Sequence, residues 1–147
     1  MKLGRLLEAK RQHLYWTPCA AHCIDLMLED IGKISNIKKV LQTVIALSGF
    51  IYGRSGILNM MRRFTGQREL VRPVVTRFAT AFLTLASIHR QKGNLRRMFT
   101  SSSCQWAKEQ KGRTTAQTIL APSFWNHIVF TLKVTGPVVR VLRLADR

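Results

Sequence analysis

The stretch Leu14-Tyr-Trp-Thr-Pro-Cys-Ala-Ala-His-Cys-Ile-Asp-Leu-Met-Leu-Glu-Asp-Ile-Gly32 decides our prediction of the fold. Together with His13, its first residues are rich in aromatic side chains and end at Pro18, which indicates a short strand over about residues 13–17. Beyond the proline, apolar residues recur at helical spacing from Ile24 to Ile31, and the glycine that follows is a natural helix end. The segment therefore predicts one strand followed directly by an amphipathic helix.

The rest of the chain repeats the helical pattern. The polar, basic residues 100–112 are predicted to form a loop, and Gly136-Pro137 is predicted to kink or break the last helix, because proline removes an amide donor. The fold class is therefore mainly α with one short N-terminal strand, and a single strand needs sheet partners that this chain does not supply. Further helices are predicted to begin near Ser35, Ile57, Phe78, Leu95 and Ser123.

The charge balance indicates a polyanionic partner. Lys and Arg number 24 and Asp and Glu number 7 among the 147 residues, which gives a net charge of +17. Such an excess has to be offset by a polyanion, by acidic partners or by counterions, and nucleic acid is the commonest polyanion. A ribosomal role, a membrane-surface role or a fragment whose acidic half lies elsewhere are the other interpretations.

Cysteine usage and hydropathy bear on the compartment. The chain has 3 cysteines and no apolar region near Met1 of the kind found in secretory signals, so we expect reduced thiols in the cytosol or nucleus. Its most apolar stretch, residues 40–52, is shorter than the ~20 residues that span a bilayer, and no transmembrane segment is predicted.

The cluster Cys19-Ala-Ala-His22-Cys23 is the most distinctive group of metal-binding side chains. Cys19 and His22 are three residues apart and share a helical face, so both can reach one zinc ion. A structural zinc site usually takes four ligands in two pairs, however, and the other histidines and Cys104 are isolated. The favoured interpretation is a helix start that packs against a sheet.

A second group on the same helix contains His22, Asp25 and Glu29, which lie on one face at positions i, i+3 and i+7. Two carboxylates and an imidazole suit a hard metal ion or acid–base chemistry. The ordinary interpretation, a solvated face of an amphipathic helix, is preferred. An enzyme with its own metal site here is therefore the least favoured function.

Arginines recur after the apolar helical segments. They include the pairs Arg62-Arg63 and Arg96-Arg97. With Arg68, Arg72 and Arg77 these pairs are suited to follow a phosphate backbone, because the planar guanidinium matches the phosphate group. The alternative is ordinary solvent-facing charge, which is less usual here because so few carboxylates are available. The candidate backbone contacts are Arg62, Arg63, Arg72, Arg96 and Arg97.

The segment from Leu14 to Gly32 resembles the Cys-x-x-His block of plant hAT transposase-like proteins. These often carry a BED zinc finger and a domain of unknown function, DUF659, beside a ribonuclease-H-like core. The similarity continues, in order, over most of the chain. The similar segments are Phe50-Ile-Tyr52, Leu58-Asn-Met-Met-Arg-Arg-Phe-Thr-Gly66, Arg68-Glu-Leu-Val-Arg-Pro73, Thr76-Arg-Phe-Ala-Thr80, Phe82-Leu-Thr-Leu85, Asn94-Leu-Arg-Arg-Met-Phe99, Ser123-Phe-Trp125, Leu132-Lys-Val-Thr135 and Val139-Arg-Val-Leu-Arg-Leu144.

The resemblance implies an internal fragment of such a protein, with the last core strand at about 13–17 and a helical insertion over about 18–147. The family's core holds two metal ions with Asp, Asp and Glu, which activate water and stabilise the displaced phosphodiester. In the family both aspartates lie upstream of a segment like Gly4-Arg-Leu-Leu-Glu-Ala-Lys10, and the glutamate lies beyond Arg147. We therefore expect no catalytic residue, no enzyme activity and no cofactor, although the parent family would use Mg²⁺ or Mn²⁺.

Two family motifs can be carried over as architectural residues near the active centre. Cys19 and His22 match the Cys-x-x-His motif, and Thr76-Arg77-Phe78 matches a Thr-Arg-aromatic motif. The leading expectation is a non-catalytic fragment that is nuclear and DNA-associated in its parent. The alternative is a basic DNA-binding or host-repurposed interaction module. DNA, bound without sequence preference, is the expected partner and a membrane is not, while the BED finger and the oligomerisation region of the family are expected outside this chain.

Overall fold

The computed structural model describes residues 2–11, 13, 17–72, 78–102 and 106–145, and within them it contains helices and no strand. The mainly α prediction is therefore confirmed. The predicted strand falls largely on residues 14–16, outside the described residues, and its two described ends, His13 and Thr17, are not in a strand. The helices are α1 (Lys2–Lys10), α2 (Ala20–Gly32), α3 (Ser35–Tyr52), α4 (Ser55–Thr65), α5 (Phe78–Arg90), α6 (Lys92–Thr100), α7 (Gln110–Leu120) and α8 (Pro122–Ala145), with a short 3₁₀ turn at Trp106–Lys108.

Two clusters of buried apolar side chains hold the helices together. The larger cluster contains side chains from every helix from α3 through α8. Its members include Phe50, Ile51, Met61, Leu85, Ile88, Leu95, Met98, Phe99, Trp125 and Ile128. The smaller cluster joins α2, α3, α5 and α8 through Leu28, Ile37, Leu41, Ala79, Phe82 and Leu142.

The three helices that contribute to both clusters define the direction of the bundle. The first halves of α3 and α5 lie in the smaller cluster and their second halves lie in the larger one. Helix α8 runs the opposite way, from Trp125 in the larger cluster to Leu142 in the smaller one. The end of α8 is thus packed against α2 rather than left without a partner.

The prediction of a loop over residues 100–112 is wrong for its described second half. There the chain forms the 3₁₀ turn at Trp106–Lys108 and then enters α7 at Gln110. Gly112 makes this packing possible, because a Cβ at this position would lie 1.7 Å from the carbonyl oxygen of Trp106. The Trp106 ring packs on Phe99 of α6, with ring centroids 5.7 Å apart. Polar composition predicted a loop, but these two tertiary contacts favour a helix.

Of the two outcomes predicted for Gly136-Pro137, a kink or a break of the last helix, the break does not occur, since α8 continues through Pro137 to Ala145. The missing amide of Pro137 deprives the carbonyl of Lys133 of its helical donor. Both residues are exposed, so water can satisfy that carbonyl. Buried residues on either side of the proline, Thr135 and Leu142, hold the two halves of α8 on the core.

Among the described helices, none by itself is long and apolar enough to cross a membrane. Helices α3 and α4 reach that length and composition only as a pair, which is bent by 103°. Their apolar side chains form much of the larger core cluster.

Candidate nucleic-acid interface

The end of α3, the end of α4 and the segment after α4 meet around one carboxylate. Helix α4 ends at Thr65, and Gly66 follows it in the left-handed region, with φ of 62°, which glycine adopts without a steric cost. The chain then turns back, and Glu69 accepts hydrogen bonds from the hydroxyl of Tyr52 at 2.7 Å and from Nε of Arg62 at 2.5 Å. The hydroxyl of Tyr52 also accepts one from the amide of Leu70 at 3.0 Å.

These contacts shift the acidity of both Tyr52 and Glu69. Partial burial, followed by the hydrogen bond to Glu69, raises the pKa of Tyr52 to about 12. The hydrogen bond from Tyr52, followed by that from Arg62, lowers the pKa of the Glu69 carboxyl below its usual range. Glu69 is therefore a permanent negative charge at neutral pH, and it lies among arginines.

Two of the five candidate DNA contacts are engaged in this network. Arg62 is half-buried and forms an ion pair with Glu69. The guanidinium of Arg72 lies over the ring of Tyr52, 5.1 Å from its centroid. Both side chains thus have intramolecular partners and are less free to bind phosphate than their position in the sequence suggested.

The other three candidates, with Arg68, form what we call the basic edge: Arg63, Arg68, Arg96 and Arg97. All four side chains are exposed, and none forms an ion pair with a carboxylate of the described residues. Helix α6, which carries Arg96 and Arg97, packs on α4, which carries Arg63. Arg68 lies in the segment that follows α4. The apolar face of α6, with Leu95 and Met98, is buried, and this orientation directs Arg96 and Arg97 to solvent.

The structure describes the Cys-x-x-His residues but only part of the Thr-Arg-aromatic motif. Cys19 is the exposed residue that precedes α2, and His22 lies exposed in the first turn of that helix. Thr76 and Arg77 lie outside the described residues, and Phe78 is the first residue of α5. The two helices themselves are joined, since Oδ1 of Asp25 on α2 accepts a 3.4 Å hydrogen bond from the amide of Ala79 on α5.

The acidic face of α2 has structural roles in this arrangement. Asp25 lies at the N-terminus of α5, where a carboxylate is favoured by unsatisfied amides and by the helix dipole. Glu29 forms an ion pair with Lys33 on the next turn, at 3.2 Å. In the described part of the chain, no three His, Cys, Asp or Glu side chains are grouped so as to hold a metal ion. Both Cys19 and Cys23 are free thiols.

Sequence reasoning missed the network around Glu69, although one signal was present. Glu69 is the single acidic residue between Asp30 and Glu109, and it follows an arginine-rich segment. An isolated carboxylate among cations is expected to form ion pairs rather than remain solvated. The same argument applies to Glu109, which forms an ion pair with Arg54 through both carboxylate oxygens.

The geometry thus describes a basic helical bundle with four exposed arginines on two neighbouring helices and on the segment between α4 and α5. Residues 1–47 match the family model described as Domain of unknown function (DUF659), a domain found in hAT-type transposase-like proteins. The match covers about a third of the chain, 47 of 147 residues, and takes in α1, α2 and most of α3. Cys19 and His22 lie within it and the basic edge lies outside it. No curated protein and no solved structure matches the chain.

Proposed function

We propose that this chain is a non-catalytic part of an hAT-type transposase-like protein and that it binds DNA without sequence preference. The DUF659 match supports the transposase-like family, and the excess of 24 basic over 7 acidic residues supports the polyanionic partner. A DNA-associated part of such a protein acts in the nucleus. Its contribution is to hold the phosphate backbone, while the chemistry belongs to carboxylates elsewhere in the parent protein.

The basic edge is the observation that carries the proposal. Four exposed guanidinium groups on neighbouring elements have no described carboxylate to neutralise them, so their field extends into solvent. Guanidinium groups form paired hydrogen bonds with phosphate, and each phosphate neutralised releases condensed counterions. The buried faces of α4 and α6 hold Arg63, Arg96 and Arg97 on one packed pair of helices, because Met61 and Met98 lie in one core cluster.

The use of the carboxylates supports a non-catalytic role. Metal-assisted cleavage of a phosphodiester requires carboxylates that converge on one or two ions. Here Glu69 and Glu109 form ion pairs with arginines, Glu29 and Asp30 form them with Lys33, and Asp25 binds an amide of α5. These acidic groups serve the fold.

A salt titration of DNA binding tests the proposal. Binding of the whole chain to two unrelated duplexes is followed by fluorescence anisotropy at increasing salt concentration. The logarithm of the binding constant should fall linearly with the logarithm of salt, with a slope of about −0.9 for each phosphate neutralised. Replacing the basic edge by Ala (R63A/R68A/R96A/R97A) should weaken binding to both duplexes and reduce the slope by about 3–4.

A matched variant separates the basic edge from general charge. The variant K10A/K38A/K39A/R143A removes four exposed cations on other helices. It should change the slope by no more than about 1, since these side chains need not touch the backbone of one duplex. An equal loss in this control, binding that is insensitive to salt, or a hundredfold preference for one duplex would each contradict the proposal.

A further inference from the structure

The outer face of α8 carries an apolar stripe that the described fold leaves uncovered. The α8 stripe consists of Phe130, Val134, Pro137, Val141 and Leu144. The exposed fractions of Phe130, Val134, Val141 and Leu144 are 55%, 40%, 51% and 68%, and Pro137 is exposed as well. Isolated apolar residues on a surface are ordinary, but an aligned row of them is characteristic of a binding surface.

The spacing of the α8 stripe is that of a coiled-coil seam. From Phe130 onward the steps are four, three, four and three residues, so Val134 and Val141 take the a positions and Phe130, Pro137 and Leu144 the d positions. A core-facing stripe is wider than this narrow a/d row. Helix α8 also has a separate core-facing stripe, where Thr131, Thr135 and Leu142 are buried. The helix thus has two apolar faces, of which the described fold uses one.

One edge of the α8 stripe is basic. Lys133 and Arg140 take the g positions beside it, and both are exposed. They also line a groove of about 410 Å³ between α5 and α8, where His89 is another lining residue and Leu132 contributes apolar surface. Helix α8 contains no Asp or Glu, so no charge on the helix itself balances these cations.

This charge pattern disfavours a second copy of the chain as the occupant. In an antiparallel pair of α8 helices, Lys133 and Arg140 would face cations of the same kind. In a parallel pair they would face the e positions, which in α8 are Thr131, Val138 and Ala145. Neither orientation supplies a carboxylate, and opposed like charges at these positions select against pairing.

We propose that the α8 stripe is the docking site of an acidic amphipathic helix from another protein. Its apolar residues would cover Phe130, Val134 and Val141, and its carboxylates would reach Lys133 and Arg140. A membrane surface fits less well, because interfacial helices bury a broad apolar face, whereas the other apolar side of α8 is already buried in the bundle. This inference does not depend on DNA binding.

The test uses the whole chain and a synthetic helical peptide of about four heptads, with Leu at a and d and Glu at e and g. A second peptide differs only in having Lys in place of Glu. The Glu peptide should bind and the Lys peptide should not, as measured by fluorescence anisotropy. The variant V134D/V141D should weaken binding by at least about tenfold, since it places charge in the centre of the seam.

The charge reversal K133E/R140E tests the two cations beside the α8 stripe. It should weaken binding of the Glu peptide at least about tenfold and allow the Lys peptide to bind. Two matched variants keep the test specific. R96E/R97E makes the same change in net charge on α6, and I45D places a carboxylate at an exposed apolar position of α3. Both should leave binding of the Glu peptide within about twofold.

Several results would overturn the proposal. If R96E/R97E weakens binding of the Glu peptide as much as K133E/R140E does, the peptide is attracted by the net charge of the protein and not by the α8 stripe. Self-association in sedimentation that V134D/V141D abolishes would make a second copy the occupant. If the chain floats with vesicles of phosphatidylglycerol and phosphatidylcholine and V134D/V141D abolishes this, the occupant of the α8 stripe is a membrane surface. Circular dichroism confirms the fold of each variant, and the reversal K133E/R140E tests the site even if V134D/V141D unfolds.

Discussion

The hydroxyl of Tyr52, the last residue of α3, donates a 2.7 Å hydrogen bond to Oε2 of Glu69. The other carboxylate oxygen of Glu69 accepts from Arg62 of α4 at 2.5 Å. One carboxylate thereby connects two helices and the segment that follows them. It also withdraws Arg62 from the set of arginines that are free to bind a phosphate.

The substitution Tyr52→Phe should lower the free energy of unfolding by about 1–2 kcal/mol, because the hydrogen bond to a charged carboxylate is lost while the ring remains. Urea denaturation measures the change. Arg63→Ala, at an exposed arginine without a described ion pair, should change stability by less than about 0.5 kcal/mol. An equal effect of the two substitutions would show that the hydroxyl contributes nothing.

Alkaline pH should destabilise the fold through the same tyrosine. Its pKa is raised from the ordinary 10.0 to about 12, so the folded state favours the neutral phenol. That stabilisation is fully present below pH 10 and is lost as the pH rises through about 12. Denaturation over this window should be steeper in pH for the parent chain than for Tyr52→Phe, whose remaining dependence comes from other groups. Identical profiles would argue against the raised pKa.

Gly112→Ala should be strongly destabilising, by about 1–3 kcal/mol or more, because the added Cβ would lie 1.7 Å from the carbonyl oxygen of Trp106. That clash is with backbone, which cannot rotate away. Gly93→Ala is the control, since a Cβ there meets nothing within 4 Å and alanine favours a helix. Thermal midpoints should fall for the first and be unchanged or rise for the second.

The purified chain should not cleave DNA in the presence of Mg²⁺ or Mn²⁺. The acidic side chains named above form ion pairs or bind the N-terminus of a helix, whereas metal-assisted cleavage needs several carboxylates at one centre. A nicking assay on supercoiled plasmid measures this. Cleavage that depends on the metal and is lost in Asp25→Asn or Glu29→Gln would establish an active site on α2 and refute the non-catalytic role.

The helices themselves were largely predictable. Leu95, Met98 and Phe99 recur with helical spacing, and the structure buries all three, which leaves Arg96 and Arg97 exposed. Such periodicity is local information, so it can be read from a short window. The same local reasoning allowed a break at Pro137 that does not occur, because contacts distant in sequence, such as those of Leu142, hold the second half of α8 on the core.

Within the candidate interface, prediction reached the residue types but not their roles. Arg62 and Arg63 are adjacent and looked equivalent, yet the first forms an ion pair with Glu69 and the second is free of described carboxylates. The ribonuclease-H-like core, the strand near residues 13–17 and the roles of Thr76 and Arg77 remain predictions. The DUF659 match supports the transposase-like resemblance over α1, α2 and most of α3.

By itself, the amino-acid sequence determined that this protein is mainly helical and that its positive charge exceeds what its own carboxylates can balance. Both properties follow from the order and number of side chains, without knowledge of any contact. Only the tertiary structure decided which arginines stay free and that α8 keeps an uncovered apolar stripe. Those outcomes depend on which helix faces meet, and pairings such as Arg54 with Glu109 join residues far apart along the chain.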